Sequence, residues 1–574
     1  MSRNRAIAVY AAAAAITLYG ALLRLDAFVG KYGVLDHPAW ARVMTHQVAA
    51  FARIVRPAGV RWQKEAKPYV GGDPINYLKF GREMTSFYQP HVREPVFLAA
   101  TRASLWALDG QDAAVSLASA AGSVLMIVAA FLLGAALVGP LAGLAAALIV
   151  AIEYDFIVWS VDGWRDDTFT AFVVLSAWAL LRLHERPSFG RAVSAGIVCG
   201  LACLTRITAL SFVVPALIWI GVAGGRQSRR ERVELTALAA VLAAAVLGPF
   251  MISCAMATGD PFFAIDYHTS YYRFAEGVTS PQPMSARAYV WQKFAARPIA
   301  TLDVGATGTF VRPFVSKWNG LRVWLPLGAF LSWCALAGLA ACLFSAKGRL
   351  LLLVTVCSLL PYAFTWNVGA GGEWRFTMHA YPLYIVAATY AIALAPRLVR
   401  RQALPAIARR SIVVAGAAAV ATAAYLALPW FVVREAVASG DSVSVEAGPR
   451  DHVFFRSGWT PPVTEGTVTV RYSHEPRAIV HFPLPAKGDY DVVVRADPVP
   501  PDAESPAMIL CNRQLAARIT LGRTPGRVGS YKFSLPREWT KSGDNELAIV
   551  PGAALGVRLW HIRILPMRPS SAAR

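Results

Sequence analysis

The chain has 574 residues, 56% of them hydrophobic and 16% charged, with a formal charge of +21 and a mean hydropathy of +0.44. A soluble protein of this size carries more charge and spreads its apolar residues in short amphipathic runs; here they form blocks of about 18 or more, enough to cross a ~30 Å hydrocarbon core as helix. The basic residues cluster between these blocks and form no stripe interleaved with aromatics, which excludes a nucleic-acid partner and predicts a multi-pass membrane protein.

"MSRNR" opens the chain, and the apolar run behind it lacks a small-residue cleavage site before the next loop, which predicts an uncleaved first span. Eleven spans are expected, at roughly 6–27, 113–137, 139–157, 167–183, 190–205, 207–223, 234–256, 323–345, 349–366, 376–396 and 411–433. "MSRNR", "RLHERPSFGR", "GGRQSRRER", "SAKGR" and "PRLVRRQALPAIARR" fall on alternate connections. The positive-inside bias therefore predicts a cytoplasmic N-terminus and an extracytoplasmic C-terminal tail, in the inner (plasma) membrane of the cell. Loops 28–112 and 257–322 then share the outer face with the turns "WSVDGWRDD" and "WNVGAGGEWRF".

The first long loop contains "GGDPINYLKFGREMTSFYQPHVREP", residues 71–95. Asp73 followed by Pro74 starts an interfacial helix by ordinary capping chemistry. The same carboxylate, fixed at a membrane surface, suits proton abstraction from a hydroxyl nucleophile. Next come His91, Arg93 and Glu94 in "HVREP"; alone, the last two read as a solvated pair. "GWRDD" supplies Arg165, Asp166 and Asp167, two consecutive acids beside an arginine, which is more than helix capping requires. Paired hard oxygens suit Mg²⁺ or Mn²⁺. "LTRIT" holds Arg206 in a tight turn, and "GGEWRF" adds Glu373 and Arg375. Each arginine alone snorkels without consequence. Acids and arginines from four segments at one membrane face instead predict a site for a phosphorylated, metal-bound lipid.

From about Val443 the pattern changes to short alternating strands, "TVTVRY", "AIVHFPL", "YDVVVRA", "YKFSL" and "NELAIV", separated by Pro, Gly and Asp turns. This predicts an extracytoplasmic sandwich of jelly-roll type over 443–567, after a membrane module over 1–436. Its aromatics, Trp459, Tyr472, Tyr490, Tyr531 and Trp560, are expected in its core more than on a sugar-binding platform, and its ligand stays open. Six of the seven cysteines lie in apolar runs and Cys511 stands alone, so neither a metal motif nor a disulfide within the sandwich is expected.

Residues 71–108, "GGDPINYLKFGREMTSFYQPHVREPVFLAATRASLWAL", resemble the first outer loop of the GT-C glycosyltransferases. The resemblance points to the protein-mannosyltransferase-like branch, which includes the aminoarabinose transferases of lipid A. It continues through "RDDTFTAF", "GLACLTRITAL" and "EWRFTMHAYPLY", covering roughly 1–400. The tail is similar to carbohydrate-binding-like domains of jelly-roll type. What the resemblance implies is an inverting transferase that moves a sugar from a polyprenyl-phosphate donor to a hydroxyl acceptor on an envelope glycan, lipid or protein. Asp73 would then be the base, and Glu94 with Asp166 or Asp167 the metal ligands, with no organic cofactor. Arg93, Arg165, Arg206 and Arg375 would face the donor phosphate, with Tyr77, His91 and Glu373 as further site residues. Many relatives carry Asp-Glu where this chain has Asp73-Pro74, which shifts weight onto Glu94 and the Asp166–Asp167 pair.

Two rival readings remain at this level. One is a membrane-anchored glycan-binding or assembly protein, in which the acids only cap helices. The other is a lipid-linked sugar transporter, whose inverted repeats and midplane charges the sequence lacks. Convergence of Asp73, Glu94 and the Asp166–Asp167 pair would favour the enzyme.

Overall fold

A computed structural model describes residues 3–567 apart from 58, 61, 63–71, 224–227, 276–283, 312, 314–327, 365–373, 400–403, 466–467, 501–503, 523–527 and 553–555. It separates into two compact units, 1–290 with 304–409 and 291–303 with 410–574.

In the first unit, the apolar blocks became helices. Arg3–Tyr32, Ala114–Leu137, Arg229–Thr258, Ala346–Ala363 and Phe376–Leu394 are each long and apolar enough to cross a membrane, as is Val414–Ala438 in the second unit. The remaining expected spans are also helical, several of them shorter, such as Phe189–Thr205 and Ile207–Val222. The stretch expected as one span over 139–157 is helical but broken by a bend. It is a pair of helices, Pro140–Ile152 and Tyr154–Ser160, bent by 57°. Glu153 sits at the break with extended backbone, and its side chain accepts the Asp155 N–H at 3.5 Å. A side-chain acceptor there replaces the helical bond and lets the chain turn.

The core of this unit is made largely of small residues that let helices approach closely. Gly122 in Ala114–Leu137 faces the first turn of Asp166–Glu185: a Cβ there would lie 2.3 Å from Thr168 Oγ1 and 2.8 Å from its main chain. We expect Gly122→Ala to force these helices apart at the turn that carries Asp166, at a cost of about 1–3 kcal/mol. A thermal melt in detergent checks this; an unchanged midpoint would show that the crossing has slack.

Among the described residues ten strands build the sandwich of the second unit. One sheet orders β2 (Val463–Glu465), β3 (Val468–Tyr472), β10 (Gly556–Pro566), β5 (Tyr490–Val499) and β8 (Ser530–Leu535), with β1 (Val443–Glu446) also on β10. The other orders β4 (Ala478–Leu484), β9 (Gly543–Pro551), β6 (Ser505–Cys511) and β7 (Gln514–Leu521). All pairings are antiparallel. From β3 to β10 the chain passes repeatedly between the sheets, and the alternate residues of β4, β5 and β10 meet in one core with Trp459 and Tyr490. The Trp459 indole donates to the Ile479 carbonyl at 3.1 Å, which fixes it as a structural residue.

Candidate active site

The site is built at the end of the helix bundle where Asp166–Glu185 begins and Phe189–Thr205 ends. Helix Asp73–Glu83 starts at the acid singled out by sequence, with Pro74 in its first turn. Its approach depends on two glycines. Gly72 has φ +68, and a Cβ there would stand 3.3 Å from the Trp164 ring; Gly163 has φ +83 and packs on Pro74 and Val115. Only glycine adopts such backbone without strain, and the close fit seats Asp73 beside the turn that leads into Arg165 and Asp166.

Next comes "HVREP". The His91 ring packs edge-on against Phe80, and its Nδ1 accepts the Arg93 N–H at 3.0 Å. Burial pushes the His91 pKa down, in keeping with a neutral acceptor that shapes the turn. Glu94 heads helix Pro95–Ala107 and is buried. One of its oxygens takes Arg165 Nη1, and the other accepts the Ile207 N–H at 2.8 Å. This one carboxylate therefore ties three distant segments together.

Asp166 and Asp167 diverge, as neighbours on a helix must. Asp166 accepts from Arg206 Nη2 at 2.7 Å. Asp167 turns toward helix Ala114–Leu137, where Ser119 Oγ donates to it at 3.2 Å. The sequence left open which acid belongs to the site, and the geometry puts Asp166 there with Arg206. That arginine is 5% exposed, donates to the Tyr362 hydroxyl at 3.2 Å, and lies over the rings of Phe169, Tyr362 and Phe376. Tyr77, wholly buried, stands between Arg93 and Arg165 with their guanidinium carbons 5.8 and 5.9 Å from its ring centre. Burial pushes its hydroxyl pKa up, against the pull of both arginines.

A cavity of about 160 Å³ opens onto this cluster, lined by Glu94, Arg165, Arg206, Thr208, Thr269, Tyr289, Tyr362 and Phe376. Its far wall comes from the loop over 257–322, including His268, which the sequence reading did not single out. Asp73 stands apart in character. Its carboxylate is 35% exposed and 3.9 Å from Arg93 Nη2, beyond hydrogen-bond distance, whereas Glu94 and Asp166 are each in short contact with an arginine.

Among the described residues no group of three His, Cys, Asp or Glu side chains stands together. Glu94 and Asp166 each meet an arginine and Asp167 turns toward Ser119, while Asp166 Oδ2 and Asp167 Oδ1 are buried without a hydrogen-bond partner, oxygens of the kind a hard divalent cation takes. Glu373 lies outside the described residues, as does the Arg375 side chain, although its backbone belongs to the 3₁₀ segment Trp374–Ala380.

Residues 92–252 match the family of dolichyl-phosphate-mannose-protein mannosyltransferases. The matched segment contains Arg93, Glu94, Arg165, Asp166 and Arg206 together. Among solved structures, the chain is similar to the oligosaccharyltransferase of Archaeoglobus fulgidus, in a complex with Zn and sulfate. The identity is 17% with a TM-score of 0.39, over 71% of this chain and 51% of that one. It is also similar to ArnT from Cupriavidus metallidurans bound to undecaprenyl phosphate (16%, TM-score 0.37, covering 64% and 65%). The sandwich is similar to the CBM36-1 domain of a xylanase from the hindgut metagenome of Trinervitermes trinervoides, at 9% identity and a TM-score of 0.18, over 22% of this chain and all of that one. The chain thus spans about half the length of the archaeal enzyme. No curated protein matches the sequence. At this cavity, among the described residues, Glu94 pairs with Arg165 and Asp166 with Arg206, all four side chains buried.

Proposed function

We propose that the protein transfers a sugar from a polyprenyl-phosphate donor to a hydroxyl acceptor at the outer face of the membrane, with inversion at the anomeric carbon. The observation that carries this reading is a cavity lined by two buried arginines, Arg165 and Arg206, with the partly exposed Asp73 carboxylate beside Arg93 nearby. The matched family's name supplies the donor class. In this reading the acceptor oxygen attacks the anomeric carbon, the bond from that carbon to the phosphate oxygen breaks, and the lipid phosphate leaves. Asp73 takes the hydroxyl proton. Arg165 and Arg206 are held in place before the reaction and face the oxygen on which negative charge grows, so they stabilise it without reorganising. Tyr362 and Thr208, whose hydroxyls lie 2.8 Å apart at the cavity wall, suit contact with the sugar.

The purified protein, incubated in turn with radiolabelled mannosyl-, glucosyl-, arabinosyl- and aminoarabinosyl-phosphoundecaprenol, is expected to release or transfer label from at least one. Release from none would overturn the reading. A divalent cation, Mg²⁺ or Mn²⁺, is the other candidate for stabilising the leaving phosphate. Because Glu94 and Asp166 are already in contact with Arg165 and Arg206, turnover is expected to persist in excess chelator. Loss of turnover, restored by added Mg²⁺ or Mn²⁺, would assign that charge to a metal.

A further inference from the structure

We infer that Arg24 is a positioning residue for the candidate site: it caps the break at Glu153, answers the charge of Asp167, and so fixes the turn that presents Arg165 and Asp166. Its effect on rate rests on the transfer proposed above; its pairing with Asp167 does not. Arg24 lies in the first span, Arg3–Tyr32, and is 1% exposed. A guanidinium so far from water needs acceptors and a counter-charge from the protein. Nε donates to Ser123 Oγ at 2.8 Å, and Nη1 donates to the carbonyls of Gly20 and Ala151, both at 3.0 Å. Nη2 donates to the Val150 carbonyl at 3.3 Å. Two of these acceptors belong to the broken span. In an unbroken helix the Ala151 carbonyl would accept the N–H of residue 155. Here that N–H turns to the Glu153 side chain, and the arginine takes its place. Carbonyls at a helix C-terminus also carry the negative end of its dipole, which suits a cation. The fit is close, since a Cβ on Gly20 would stand 3.0 Å from Ala151 Cβ.

The counter-charge is Asp167, which attracts Arg24 and meets the same Ser123 hydroxyl. Its Oδ2 also accepts from Ser119, one turn before Ser123 on helix Ala114–Leu137, so that helix carries the link between the other two. A second contact repeats the pattern. Lys31, seven residues after Arg24 and so on the same face of the first span, donates to Asp162 at 2.7 Å. Seven residues of helix span about 10 Å, and between the two points held runs the short helix Tyr154–Ser160. Both ends of the segment that leads into the Gly163–Arg165 turn are thus fixed by the first span. Moving that turn would move Arg165, which lines the cavity, and Asp166, which holds Arg206.

The test uses the full-length protein, its melting midpoint in detergent, and whichever donor of the panel above it turns over. Rates are taken well below each variant's midpoint, where all of the protein is folded, so that a residue serving stability alone leaves kcat unchanged. Arg24→Met is expected to lower the midpoint and to lower kcat about ten- to hundredfold, the cost of misplacing reacting groups by about an ångström, with donor KM little changed. Arg24→Met combined with Asp167→Asn is expected to raise both midpoint and kcat above those of Arg24→Met, because no charge is then left buried alone. Lys31→Asp is expected to lower kcat, and adding Asp162→Lys to restore it. Asp162 is 32% exposed, so this exchange reads the second point should Arg24→Met fail to fold. Wild-type kcat in folded Arg24→Met, losses that simply add in the double variant, or an exchange that restores nothing would each overturn the inference. Wild-type protein that turns over no donor would instead remove the transfer reading, and the coupling of midpoints alone then decides whether Arg24 and Asp167 form a pair.

Discussion

Asp73→Asn is expected to lower turnover by about 10²–10⁴-fold, the usual contribution of a general base, while the variant folds and binds donor lipid as before. The amide keeps the shape of the side chain and loses its ability to take a proton. The Asp73 side chain is 35% exposed, so water reaches the groups around it when its charge is removed. The measurement is the single-turnover rate, set beside undecaprenyl phosphate binding and the melting midpoint of the same preparation. Wild-type turnover would remove Asp73 as the base. A lowered midpoint would show that the carboxylate is structural, as a helix-starting acid can be.

Arg206→Met is expected to act on both stability and rate. Asp166 would be left buried at 2% exposure with its arginine gone, and breaking one side of such a pair typically costs about 3–5 kcal/mol. The rate should fall by about 10²–10³, the loss seen when one preorganised donor to a developing oxyanion is removed. A second change separates the two effects. Arg206→Met combined with Asp166→Leu removes both charges and is expected to recover the melting midpoint without recovering turnover. If the double variant regains both, Arg206 serves the fold and not the phosphate.

The membrane helices were legible because apolar length and basic flanks are direct consequences of the bilayer. The bend within 139–157 was not legible, because that stretch looks continuous by hydropathy; Glu153 sits at the break with extended backbone. In the sandwich, β4, β5 and β9 announced themselves by alternation. The longest strand, β10, did not, because its register shifts between Leu559 and His561 and the inward positions change phase there. Asp73, Glu94, Arg165, Asp166 and Arg206 were conspicuous in the sequence because charged residues at span ends are costly. Their pairing was not, since the sequence displays acids and arginines without saying which faces which. Tyr362 hid in an apolar run, where an interfacial tyrosine is unremarkable chemically. His268 sits in "DYHTSYY", a stretch whose aromatics read as ordinary amphipathic packing.

The ion pairs at the cavity also set an order of assembly. Arg165 waits for nothing, because Glu94 precedes it by 71 residues, and Asp166 must wait 40 residues for Arg206. At ordinary ribosomal speeds that interval is on the order of seconds. During it the leading turn of Asp166–Glu185 carries an acid whose counter-charge does not yet exist. The Ile207 N–H closes the circuit back to Glu94 across 113 residues. A nascent chain arrested before Arg206 would therefore hold its helices without this joint, exposing an uncompensated carboxylate to whatever surveys unfinished membrane proteins. The joint among Glu94, Arg165, Asp166 and Arg206 is thus complete once residue 207 has been made, before the later helices of the unit exist.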